Sequence, residues 1–189
     1  MSILSKKYIN EVSSRQNFNE SIFIRDSNRI DKKDSQYDVF LSYCYSDKEY
    51  AIKIVNMFEK IGYKVYIDLR DPKLDRKKVD MDTAIRISDI MNRCKSLVYV
   101  HTKSATISKW CPWELGYMSG KKNFRCATIL LVEDKEDFPR QEYLEIYPYL
   151  TYSSVQDTEE YDFWVHELDN DKYVKFSNFL KGKNPYIHE

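Results

Sequence analysis

Glycine is scarce in this 189-residue chain. The four glycines, at 62, 116, 120 and 182, make no phosphate-cradling run after a strand, so neither a dinucleotide fingerprint nor P-loop chemistry is supported. Cysteine is as sparse: Cys44, Cys94, Cys111 and Cys126 are scattered, and none stands at ligand spacing from another Cys or a His. No metal site is expected, and the thiols read as packing groups in a reducing compartment. Charge of one sign is also missing, since 30 basic residues are matched by 30 acidic ones; no bulk attraction to nucleic acid or membrane follows. Long apolar runs are absent. The stretch 127–132 falls far short of a membrane span and residues 1–10 hold no signal-peptide core, so a cytoplasmic, unanchored protein is expected. Without internal repeats or low-complexity tracts, neither a solenoid nor a disordered linker is indicated.

What is present suits one globular domain with appendages, because 42% hydrophobic and 32% charged residues can build a core but the length does not hold two ordinary domains. Residues 1–36 are polar and mixed in charge, with one apolar cluster at Ile22, Phe23 and Ile24, and read as an N-terminal arm, partly helical at best. From Tyr37 the texture changes. The run 37–43 is β-branched and aromatic and predicts a buried strand. Ser46-Asp47-Lys48-Glu49 reads as a capping box, and Tyr50, Ala51, Ile54, Val55, Phe58 and Ile61 recur at helical spacing until Gly62. Strands follow at 63–68, 96–100 and 127–132, helices at 82–94 and 110–119, and a weaker strand at 149–152. Such alternation with short links implies a parallel sheet flanked by helices, with ligands at the carboxyl ends of the strands. The domain is taken as 37–155. In 156–189, the runs 161–168 and 173–180 predict a C-terminal helical extension.

The densest unusual constellation is Ser108-Lys109-Trp110-Cys111-Pro112-Trp113-Glu114-Leu115. Pro112 suits a first helical turn, which places Glu114 near the positive helix end with Trp110 four residues before it. A carboxylate beside an aromatic wall can break an N-glycosidic bond by stabilising an oxocarbenium-like state. On the residues alone, the plainer alternative is a helix-terminal charge beside two packing tryptophans. His101 and His166 are isolated and read as packing or surface residues.

The same residues resemble the Toll/interleukin-1 receptor (TIR) domain family at several points in order: residues 37–43 its first box, Asp47 the entry to the first helix, 62–68 its second strand, 94–102 its third, and 108–115 the box in which Ser and Trp-Cys precede Glu-Leu. The resemblance covers roughly Tyr37 to Tyr152. It implies a flavodoxin-like parallel sheet flanked by helices, and leaves the N-terminal arm and the C-terminal helices as additions that it does not explain. In enzymatic members it also implies cleavage of NAD+ at the nicotinamide-ribose bond, with NAD+ as substrate and no cofactor. Carried over by position, Glu114 is the catalytic carboxylate and Trp110 stacks near the base. Ser42, Tyr43 and the loop through Asp47 line the other wall, and Asp68 stands at the entrance of the following loop. That loop, 69–80, corresponds to the family's assembly loop, so self-association through TIR contacts is expected. Where some relatives carry basic residues this chain has Cys44 and Tyr45, leaving Arg70, Lys103 or Lys109 as phosphate contacts. The bacterial NAD-cleaving type implies an ADP-ribose-derived signal, ADP-ribose itself or a cyclic isomer of ADP-ribose, in an antiphage system resembling Thoeris, read by a separate effector. Two other functions stay open: a non-enzymatic adaptor working through TIR assembly, and an enzyme like the nucleoside deoxyribosyltransferases.

Overall fold

The computed structural model describes residues 4–15, 35–74, 80–123, 125–133 and 141–188. The apolar cluster at Ile22 to Ile24 and residues 75–79, with their charged run 75–78, lie outside them. In chain order the elements are β1 (Leu4–Ser5), α1 (Lys6–Arg15), β2 (Tyr37–Ser42), α2 (Lys48–Lys60), β3 (Val65–Tyr66), α3 (Met81–Asn92), β4 (Cys94–His101), α4 (Trp110–Lys121), β5 (Cys126–Val132), β6 (Tyr149–Ser154), β7 (Tyr161–His166), β8 (Tyr173–Lys175) and α5 (Phe176–Leu180).

The strands form one mixed, mostly parallel sheet in the order β3-β2-β4-β5-β6-β7-β8. β3, β2, β4, β5 and β6 are mutually parallel. Because the chain leaves β2 for β3 on one side and returns to β4 on the other, the order reverses between β2 and β4. A crevice at the carboxyl ends of those two strands follows from that reversal. The near-continuous burial of β2, β4 and β5 is what a parallel strand covered on both faces requires. One face packs against α1, α2 and α5 through residues such as Val39, Leu41, Val98, Ile54 and Phe58. The other packs against α3 and α4 through Phe40, Tyr66, Tyr99, Ile87 and Leu115.

α2 shows how local sequence aims the chain. Gly62 takes φ +93, Gly62 N–H donates to Glu59 O at 3.0 Å, and Tyr63 N–H to Phe58 O at 3.1 Å. This is the Schellman closure, and the Tyr63 ring lies 5.9 Å from Phe58, edge-on, directing the chain into β3. The start of α2 departs from expectation. The helix begins at Lys48 with Asp47 as N-cap and without a side-chain cap, while Ser46 Oγ donates to Cys44 Sγ instead. The capping box does not form, because the N-cap falls on Asp47, one residue after the serine the box requires, and the Asp47 carboxylate is engaged by another element.

Two segments outside the alternating core join it. β1 pairs in parallel with the carboxyl half of β5, Leu4 beside Leu131 and Ser5 beside Val132, and α1 follows with Ile9 fully buried in the core. At the other end, residues 161–168 are not helical. They form β7, antiparallel to β6 over six paired positions from Tyr149 beside His166 to Ser154 beside Tyr161. Residues 173–175 then form β8, and only Phe176–Leu180 is helical. The run 161, 164, 165 and 168 fits a helix, but Phe163 and Val165 also alternate as one strand face, and the partner strand decides between the two.

Candidate functional site

Alternation along adjacent strands sets up the site. Phe40 on β2 and Tyr99 on β4 face α3 and α4, so Ser42, two residues after Phe40, faces the same way at the carboxyl end of β2. Opposite it stands Glu114, in the second turn of α4, on the inward stripe formed by Cys111, Glu114, Leu115 and Met118. Ser42 is fully buried, Glu114 is 1% exposed, and Ser42 Oγ donates to Glu114 Oε2 at 2.6 Å. A carboxylate taken out of water and held by a buried hydroxyl is costly unless it is bonded. Here it is bonded at the strand-order reversal, where ligands of such sheets bind.

A second buried polar pair spans the same reversal. Thr102, just past β4, donates through Oγ1 to Asp47 Oδ2 at 2.7 Å. Both residues are buried. Thr102 was not legible as a site residue, because it sits in a Ser/Thr-rich loop in which nothing marks one hydroxyl from the next. Its neighbour His101 is fully buried, its ring 5.6 Å from Tyr99.

The other residues singled out in the sequence divide. Asp68 opens a 3-10 turn after β3, at the same carboxyl end of the sheet, and is buried. Trp110 begins α4, one turn before Glu114, half-buried against the α3/α4 core, with its ring edge-on to Trp113 at 5.4 Å. Tyr43 is not brought to Glu114: it follows Ser42 and therefore turns to the other face, where it packs in the α2 core. Arg70 is corrected as a phosphate contact. It is buried and its guanidinium grips Glu59 with two bonds of 2.5 and 2.9 Å, a bidentate pairing that leaves its charge committed to α2. Lys103 and Lys109 are exposed on the loop between β4 and α4. The base of the loop after β3 is fixed by Asp71, which is buried and accepts from Tyr66 Oη at 2.9 Å and from Arg86 of α3 at 2.6 and 3.1 Å. None of these groupings resembles a metal centre; among the described residues no cluster of three His, Cys, Asp or Glu side chains is suited to hold a metal ion.

The TIR domain family model matches residues 39–167. A protein of Bacillus cereus named "Probable 3' cyclic ADP-D-ribose synthase ThsB'" is 34% identical over 151 residues, 79% of this chain and 78% of its own length. A protein of Cytobacillus dafuensis, TIR2, also named for cyclic ADP-D-ribose synthesis, is 31% identical over 94 residues, 49% of this chain and 24% of its own. Among solved structures, the TIR domain of the Toll-related receptor TRR-2 from Hydra magnipapillata aligns over 60% of this chain and 82% of its own at 20% identity, with a TM-score of 0.48. With a family model that spans most of its length and a relative matched over more than three quarters of both chains, this chain belongs to the TIR domain family.

Proposed function

We propose that this protein cleaves NAD+ at the nicotinamide-ribose bond, with Glu114 as the catalytic carboxylate, and joins the released ADP-ribosyl group to itself as a cyclic ADP-ribose. The observation that carries the reading is the buried Glu114 carboxylate, held by Ser42 at the strand-order reversal. The names of the relatives from Bacillus cereus and Cytobacillus dafuensis support the choice of reaction.

The chemistry follows from the position. As the bond to nicotinamide lengthens, positive charge builds on the anomeric carbon and ring oxygen of the ribose. Nicotinamide leaves with the bonding electrons, which neutralise its ring nitrogen. A carboxylate in a water-poor setting stabilises that ribosyl cation more than it would in bulk water, because the local dielectric is low. Glu114 is itself covered, so the ribose enters only as neighbouring groups give way, and the substrate that takes their place keeps water from the cation. Attack by a nucleophile of the ADP-ribosyl group then gives a cyclic product, and attack by water gives ADP-ribose. Trp110, half-exposed one turn before Glu114, supplies a flat wall for the base. Asp68 stands at the rim. Phosphate contacts fall to Lys103 and Lys109 now that Arg70 is paired. No cofactor takes part; NAD+ is the substrate.

We assign the product a signalling role in antiphage defence, read by a separate effector, with TIR contacts assembling the protein. Chromatography with mass spectrometry on NAD+ incubated with the full chain tests the reading. It predicts nicotinamide together with a co-product one water lighter than ADP-ribose. ADP-ribose alone would restrict the activity to hydrolysis. Intact NAD+ in the presence of independently confirmed assemblies would favour the adaptor.

A further inference from the structure

We propose that Thr102 is a positioning residue for NAD+ cleavage, clasping the two loops of the site so that Glu114 is held in register. The proposal rests on the NAD+ reading above and concerns how that carboxylate is aimed.

The site is bounded by a closed circuit of hydrogen bonds. From Ser42 the chain passes Cys44, whose carbonyl accepts from Asp47 N–H at 2.8 Å and closes the turn Tyr45–Asp47. Asp47 Oδ2 accepts from Thr102 Oγ1 at 2.7 Å. The same Thr102 oxygen accepts from Ala105 N–H at 3.0 Å, which anchors the 3-10 turn Ser104–Ile107. Ala105 O accepts from Ser108 N–H at 3.1 Å, and Ser108 Oγ accepts from Cys111 N–H at 3.3 Å in the first turn of α4. Glu114 lies one turn on, and its bond to Ser42 at 2.6 Å completes the ring.

Two side-chain hydrogen bonds cross between the segment 42–47 and the segment 102–114, Asp47 with Thr102 and Ser42 with Glu114, so each constrains the other. The Thr102 hydroxyl uses both its donor and its acceptor capacity within the ring, at 3% exposure. Removing it leaves the Asp47 carboxylate without that donor and leaves Ala105 N–H, at the start of the Ser104–Ile107 turn, with the Thr102 carbonyl at 3.1 Å in place of a bond shared with the hydroxyl. α4 then keeps its helix, but the loop that sets its start is no longer tied to Asp47. A carboxylate displaced by a fraction of an ångström stabilises the ribosyl cation less well while substrate binding elsewhere persists.

The test uses the full chain with Thr102→Val, which keeps the shape and deletes the hydroxyl, and Thr102→Ser, which keeps the hydroxyl. Thr102→Val is expected to lower kcat by about 10- to 100-fold with little change in KM, and Thr102→Ser to restore it. Asp47→Ala combined with Thr102→Val should be no worse than the more damaging single variant, because both break one contact. Hydrogen exchange reads the clasp without activity: amides in 103–111 should exchange faster in Thr102→Val and return to wild-type protection in Thr102→Ser. If Thr102→Val does not fold, the Thr102→Ser and Asp47→Ala proteins carry the comparison, and wild-type protection of 103–111 in Asp47→Ala overturns the clasp. A folded Thr102→Val protein with wild-type kcat and KM, or Asp47 and Thr102 effects that add, would also overturn it. Wild-type protein that releases no nicotinamide sinks the NAD+ reading instead, and the exchange data then decide the clasp alone.

Discussion

At the scale of single residues, environment divides groups that look alike in the sequence. Ser42 and Tyr43 are neighbours, yet the pleat sends the hydroxyl to Glu114 and the phenol into the α2 core. Ser42→Ala should therefore lower NAD+ cleavage and cost about 1–3 kcal/mol of stability by depriving a buried carboxylate of a donor. Urea unfolding beside a nicotinamide-release assay checks both, and unchanged values in the two would contradict the arrangement. The box around Glu114 stood out through its resemblance to the TIR family, because on the residues alone it reads as well as a helix-terminal charge beside two packing tryptophans. Thr102 did not, because a hydroxyl's role depends on a partner 55 residues away. Arg70 misled for a similar reason: its charge is visible in the sequence, but the carboxylate that engages it, Glu59, lies on another element.

At the scale of elements, the alternating strands and helices from 37 to 132 were readable because each carries its own period, and α2 also its stop signal at Gly62. The C-terminal strands were not readable. Residues 161–168 satisfy both periods, and only the six-position pairing with β6 selects the strand. Two predictions belong here. α3 is tied to the loop after β3 by the Arg86 pair with buried Asp71, so Arg86→Ala should destabilise by about 1–3 kcal/mol through the charge left under-bonded. A denaturant midpoint equal to wild type would rule that tie out. α1 is anchored by Ile9, and Ile9→Ala should cost about 2–5 kcal/mol if the docked helix unfolds with the domain. Calorimetry showing an unaltered main transition would mean that α1 is not part of the cooperative unit.

At the scale of the molecule, buried ionisable groups set a pH window for stability. Burial pushes the Cys126 thiol up to about 11 and raises Cys94, Tyr63 and Tyr99 further, against ordinary values of 9.0 for Cys and 10.0 for Tyr. The unfolded chain therefore loses these protons first, and the stability they contribute is full below pH 9 and declines as pH rises through the folded values. Burial lowers His166 from 6.5. The unfolded chain then binds that proton more readily, and its contribution declines as pH falls below 6.5. Melting temperatures followed from pH 5 to 11 should show a plateau near neutrality falling off on both sides. A Tm that keeps rising above pH 10 would contradict the burial of these side chains.

The central claim is that the carboxylate of Glu114 drives cleavage of the nicotinamide-ribose bond. Nicotinamide release from NAD+, measured side by side for wild-type and Glu114→Gln proteins of matched folding and assembly, tests it most directly. Release by the wild type that falls to background in the isosteric variant is the result predicted. Equal release by both proteins, or none from assembled wild type, would contradict it.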